Sequence, residues 1–168
     1  MPEQSKMPKE GYLYDYVSGK EIKATPEELH AVQVFSRILH LDYGYPTSHL
    51  QTRPQWHVKS RPSDTKKQYP VDIAIFSENQ HSEDNISIIV ECKKPNRKDG
   101  RTQLEDYLRF SKAEIGVWFN GEEKLFLKKN EAKGKVTFTE IPNIPKFGER
   151  IRRCWKIQKK GSISCSES

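Results

Sequence analysis

The chain lacks the features that would place it in several large protein classes. No apolar run in its 168 residues approaches the roughly 18 that a membrane-crossing helix requires. The opening MPEQSKMPKEGYLYDY has none of the apolar core of a secretory signal. Its three cysteines, Cys92, Cys154 and Cys165, are scattered and fall in no Cys-x-x-Cys or Cys/His spacing. A disulfide framework and a structural zinc site are therefore not expected, and a reducing cytoplasm is the expected compartment. His30, His40, His49, His57 and His81 likewise show no ligand spacing. There is no Gly-x-x-x-x-Gly-Lys-[Ser/Thr] loop to drive a phosphate-powered motor and no dinucleotide fingerprint. No internal repeat is present.

What remains is a polar but foldable chain. Hydrophobic residues make up 34% and charged residues 31%, yet 7 Phe, 7 Tyr and 3 Trp argue against wholesale disorder. The length suits one domain, which at this size buries about 70% of its unfolded surface. Lys and Arg number 29 against 23 Asp and Glu. The excess is local: residues 146–160 (KFGERIRRCWKIQKK) hold seven basic residues and one acid, leaving residues 1–145 close to neutral. That tail, with Trp155, reads either as a non-specific nucleic-acid binder or as a solvated linker. The expected organisation is a lead over 1–20, a domain over 21–147 and a basic tail or linker over 148–168.

Local patterns give the elements. Residues 11–24 predict a short hairpin around Ser18-Gly19. Thr25, Pro26 and Glu28 have the spacing of a capping box with proline at the first helical position. The helix they open carries the stripe Val32, Phe35, Leu39, widened by Leu29, Ile38 and Leu41, and stops at Tyr43-Gly44-Tyr45-Pro46. Residues 48–60 predict an edge strand. Two apolar runs, 71–76 and 86–92, flank a polar connector and predict an antiparallel hairpin whose second strand is central. A helix over 100–112, a hairpin about Asn120-Gly121 and a strand over 135–141 follow. The sum is an α/β chain of mixed α+β type, a central mixed sheet of about five strands flanked by helices.

The two apolar runs also carry the chemistry. Asp72 and Glu91 are symmetric about the middle of the connector, so an antiparallel pairing sets them opposite each other. The period of two puts Lys93 on the same face as Glu91 and Cys92 on the other. Burying such charges without partners costs several kcal/mol. A divalent cation relieves the repulsion of two carboxylates, and oxygen donors suit Mg²⁺ or Mn²⁺. A metal beside a lysine that positions water is what phosphodiester hydrolysis needs. The (D/E)-x-K pattern alone says little, for the chain has five copies, at Glu21, Asp64, Glu91, Glu122 and Glu131. Only the copy at Glu91 ends an apolar run with an Asp-bearing run facing it. The competing reading is an ion pair at the mouth of a strand.

The motifs Val71-Asp72-Ile73-Ala74-Ile75, Ile88-Ile89-Val90-Glu91-Cys92-Lys93-Lys94-Pro95 and Gln103-Leu104-Glu105-Asp106-Tyr107 resemble the PD-(D/E)XK nuclease superfamily. Thr25-Pro26-Glu27-Glu28, Gly44-Tyr45-Pro46 and Gly116-Val117-Trp118-Phe119-Asn120-Gly121 are similar to the N-terminal nuclease domain of the restriction subunit of type I restriction–modification enzymes. The chain departs from that family in one spacing: Gln33 comes one place later after Pro26-Glu27-Glu28 than the family's glutamine.

The resemblance implies a restriction-endonuclease-like fold and an Mg²⁺- or Mn²⁺-dependent DNA endonuclease. Asp72, Glu91, Glu28 and the backbone carbonyl of Cys92 would hold metal, and Lys93 would position the attacking water. Gln103 and Tyr107 would support DNA engagement, with Lys66 and Lys67 of a basic loop on the phosphate backbone. The implied partners are DNA and either translocase and modification or specificity subunits or further domains of a longer chain. Residue by residue, alternatives stand. Glu28 also fits a capping-box carboxylate, Gln103 and Tyr107 fit a core helix pair, and Cys92 fits a small core residue. A catalytically idle nuclease-fold module for DNA binding or assembly, and an enzyme acting on RNA, are the rival functions.

Overall fold

The computed structural model describes residues 6–60, 63 and 68–149. The chain begins with an antiparallel hairpin, β1 (Tyr12–Tyr14) and β2 (Glu21–Lys23), as the sequence predicts around Ser18-Gly19. The expected lead boundary at residue 21 runs through this hairpin. A helix follows in two parts, a π turn over Glu28–Val32 and then α1 (Gln33–Leu41). Next come a 3₁₀ turn (Thr47–His49), β3 (Leu50–Gln51), β4 (Trp56–Lys59), β5 (Gln68–Val71), β6 (Ile73–Phe76) and β7 (Ile86–Cys92). Then α2 (Arg101–Phe110), β8 (Ile115–Phe119), β9 (Lys124–Ala132) and β10 (Lys135–Glu140) complete the described elements.

The main sheet has six strands in the order β10-β9-β8-β7-β6-β3, with β7 and β8 parallel and the other neighbours antiparallel. A parallel neighbour needs a crossover, and α2 supplies it between β7 and β8. β7 is central and buried along nearly its whole length, which its two-sided apolar pattern predicts. The expected strand over 48–60 divides at a corner containing Pro54. Its first part, β3, edges the main sheet; its second, β4, leaves to pair with β5 in a separate ribbon. The main sheet is thus six strands wide against the five or so expected, with the β4–β5 ribbon beside it.

Two apolar layers sandwich the sheet. On one face the first helix packs Ala31, Val32, Phe35 and Leu39 against Ile73, Ile75, Ile88, Val90, Val117 and Phe119. On the other, Leu104, Tyr107 and Leu108 of α2 and Val58 of β4 pack against Ala74, Phe76, Ile89 and Leu127. Gly116 lets α2 sit close, since a Cβ there would lie 2.6 Å from Leu108 Cδ1. The expected apolar stripe of the first helix is narrower than the sequence suggests. Leu29 and Leu41 are exposed, at 48% and 69%. A π turn rotates less per residue than an α-helix, which carries Leu29 away from Val32, and Leu41 is the last residue of α1.

Candidate active site

The site is built where β6 begins and β7 ends. The register pairs Ile73 with Val90 and Ala74 with Ile89, so continuing it by one step sets Asp72 across from Glu91. Asp72 occupies the bend between β5 and β6, and Cys92 N–H donates to its Oδ2 at 2.7 Å. Gln55 Nε2 approaches its Oδ1 at 3.4 Å. Glu91 is 4% exposed, on the α2 side of the sheet. Burial pushes the Asp72 carboxyl well above the usual range; the Cys92 amide opposes this, while the charges of Glu27 and Glu28 add to it. Burial also raises Glu91, with the Asp72 charge next in size and Lys93 pulling the other way. The pair is thus short of positive charge.

Lys93 is the one cation that touches it among the described residues. Its Nζ lies 3.3 Å from Glu91 Oε1 and donates to Gln103 Oε1 at 3.2 Å. The Gln103 amide in turn donates to the Tyr107 hydroxyl, which binds the side chains at i and i+4 of α2 into one row. Tyr107 is buried in the apolar layer, as the core reading expects, while its hydroxyl meets Gln103. Gly100 makes room for the lysine. It caps α2 at a φ of 112°, and a Cβ there would sit 2.7 Å from Lys93 Cε. Trp118 Nε1 donates to Asp99 O at 2.9 Å and fixes the same corner.

The first helix brings two acids with different surroundings. Glu28 N–H donates to Thr25 Oγ1 at 3.2 Å, so half of a capping box forms. Its carboxylate does not turn back to the cap. Oε1 pairs with Arg53, and Oε2 accepts from Gln33 Nε2 at 3.0 Å. The π turn explains how residues five apart meet: its backbone N–H of Gln33 bonds Glu28 O, absorbing the one-place delay of Gln33. Gln33 Nε2 also donates to Asp15 Oδ1 at 2.9 Å, and Thr52 and Ser18 donate to Asp15 Oδ2. Burial would raise Asp15, yet these bonds together hold its carboxyl below the usual value. Glu27 makes no hydrogen bond or ion pair to a described residue, and burial raises its carboxyl against the pull of Lys93.

A family model for the type I restriction enzyme R protein N terminus matches residues 26–145, well over half of the sequence. The chain belongs to this family. No curated protein and no solved structure matches it. The R protein family places the chain among restriction–modification proteins, and the mixed sheet with helices on both faces is consistent with a restriction-endonuclease-like fold.

Of the residues singled out from the R-protein-like sequence, Asp72, Glu91, Lys93, Gln103 and Tyr107 gather at one rim, and Glu28 is near enough for its charge to act on Asp72. Cys92 is buried with the sheet layer that faces the first helix, and burial pushes its thiol up, as suits a core residue. Lys66, Lys67 and Trp155 lie outside the described residues. Sequence reasoning missed Arg53, Gln55, Glu27, Asp15 and Gly100. Only the Gly100 position, just before a helical pattern, carried a local signal.

The donor set fits a hard divalent cation. Two carboxylates, Glu91 buried and Asp72 half-buried, share a single cation, Lys93, and oxygen ligands of this kind, completed by water, are what Mg²⁺ takes. Among the described residues no three His, Cys, Asp or Glu side chains form a ready-made cage.

Proposed function

We propose that this domain is a PD-(D/E)XK-type, Mg²⁺-dependent DNA endonuclease working in type I restriction. The observation that carries the reading is the juxtaposition of Asp72, Glu91 and Lys93 at one sheet rim, with both carboxyls raised by burial and by neighbouring acidic charge. Asp72, Glu91 and the carbonyl of Cys92 are the metal donors, with Glu28 as the third carboxylate once Arg53 releases it. Mn²⁺ would serve in place of Mg²⁺. Bound metal would supply Lewis acidity, lowering the pKa of water and neutralising phosphate charge. Lys93 holds and orients the attacking water, and Gln103, tied to Tyr107, holds Lys93. Water adds to phosphorus in line, the P–O3′ bond breaks, and a 5′-phosphate and a 3′-hydroxyl result. Lys66 and Lys67 steer the DNA backbone. The partners are DNA and the translocase, modification and specificity parts of such a system, carried on other subunits or on a longer chain, in the cytoplasm.

The test is Mg²⁺-dependent cleavage of circular and linear DNA by the wild-type chain and by Glu91→Ala and Lys93→Ala. Cleavage by wild type alone sustains the reading. Variants that cut at the wild-type rate overturn the site, and a wild type that binds DNA but never cuts favours the idle module.

A further inference from the structure

We infer that a cavity beside the carboxylate pair is a stacking site for one unpaired nucleobase of single-stranded DNA; this rests on the nuclease reading above. The cavity measures about 610 Å³, within the size range of small-ligand sites, and lies between β4 and the end of α2. Trp56 and Phe110 give it aromatic walls, and His57 and Lys59 stand on the same strand, both exposed. Phe110 is 44% exposed although it ends a packed helix, and Tyr69 holds its ring nearly parallel at 9°. Trp56 is half-buried, and its ring is held edge-on against Phe76 at 79°. Gln55 lines the cavity and also approaches Asp72 Oδ1, so the space opens next to the proposed scissile phosphate.

These parts match what single-stranded DNA recognition uses. A base has a π-face for an aromatic wall whatever its identity, and its phosphates take a neighbouring lysine. Paired bases present only their edges, so a concave aromatic site admits a base that has left the stack. The other large cavity, of about 560 Å³ near Pro145–Glu149, is lined by Asp84, Glu114 and Glu149 together with Lys112 and Lys146 and is separate from the carboxylate pair, whereas the proposed base site carries one acid, Glu83.

The experiment compares binding of a labelled single-stranded 12-mer with that of the same strand carrying abasic sites, in EDTA, using the full chain. Phosphate binding by the basic tail is equal for both strands and cancels. Wild type is expected to prefer the base-containing strand roughly tenfold, and Phe110→Ala to abolish the preference while leaving abasic affinity unchanged. Lys93→Ala should keep it. Equal affinity of wild type for the two strands overturns the proposal, as does a Phe110→Ala variant that folds and retains the preference. Since no metal or cleavage enters, a preference without nuclease activity removes only the catalytic reading, and cleavage without a preference removes only the base site.

Discussion

Two buried acidic clusters in this domain are handled in opposite ways. Asp15 and Glu28 sit with Gln33, Thr52, Ser18 and Arg53, and each carboxylate oxygen has a donor. Asp72, half-buried, and Glu91, buried, share one amide, one distant glutamine and one lysine. The consequence is visible in their protons: the first cluster holds Asp15 below its usual value, and the second drives both carboxyls up. A fold that meets the desolvation cost around Asp15 and leaves it unmet at Asp72 and Glu91 separates an acid held by its partners from acids poised for a cation, with Glu28 between the two, near enough for its charge to act on Asp72.

The largest expected effect sharpens that contrast. Glu91→Ala and Lys93→Ala should lower Mg²⁺-dependent cleavage by roughly a thousandfold or more, with melting temperature little changed, whereas Asp15→Asn should leave residual cleavage in proportion to folded protein. Plasmid nicking alongside thermal melts checks both. A second contrast is in stability. Asp15→Ala leaves buried donors on Gln33 and Thr52 unpaired and should cost about 2–3 kcal/mol in urea unfolding. Asp72→Asn, which keeps an acceptor for Cys92 N–H, should instead stabilise the metal-free domain by about 1–2 kcal/mol at neutral pH.

The pH dependences should oppose each other as well. Asp72 and Glu91 keep protons in the folded state that the unfolded chain has released, so their contribution falls as pH rises from the ordinary carboxylate range through neutrality. Asp15 has a lowered folded value, so its contribution is present above the usual carboxylate range and is lost as pH falls below it. Metal-free urea melts across pH should show the first slope shrink in Asp72→Asn, where only Glu91 still contributes, and the second vanish in Asp15→Asn. Added Mg²⁺ at a hundredfold excess over its Kd should restore about 2.7 kcal/mol to wild type and nothing to Asp72→Ala.

The smallest effect concerns the third carboxylate. Glu28→Gln is expected to weaken Mg²⁺ binding about tenfold by calorimetry. A loss confined to Glu27→Gln would move the ligand by one residue, to the acid of the first helix that has no described partner.

Much of this site is legible in the sequence because it rests on local rules. The hairpin over 71–92 has a polar connector and two apolar runs, so its register follows from alternation, and that register sets Asp72 across from Glu91. The row Gln103–Tyr107 follows from helical spacing. The corner at Pro54, the pairing of Arg53 with Glu28 and the clearance over Gly100 have no such local rule. Each depends on where a segment far away in the chain comes to rest.

The sequence by itself determined which acids would face one another and which lysine would join them, because side-chain direction in strands and helices repeats with a fixed period. Only the tertiary structure decided which carboxylates receive partners. Solvation of a charge depends on everything packed around it, and at Glu28 that meant an arginine from a separate strand corner and a glutamine brought round by a π turn.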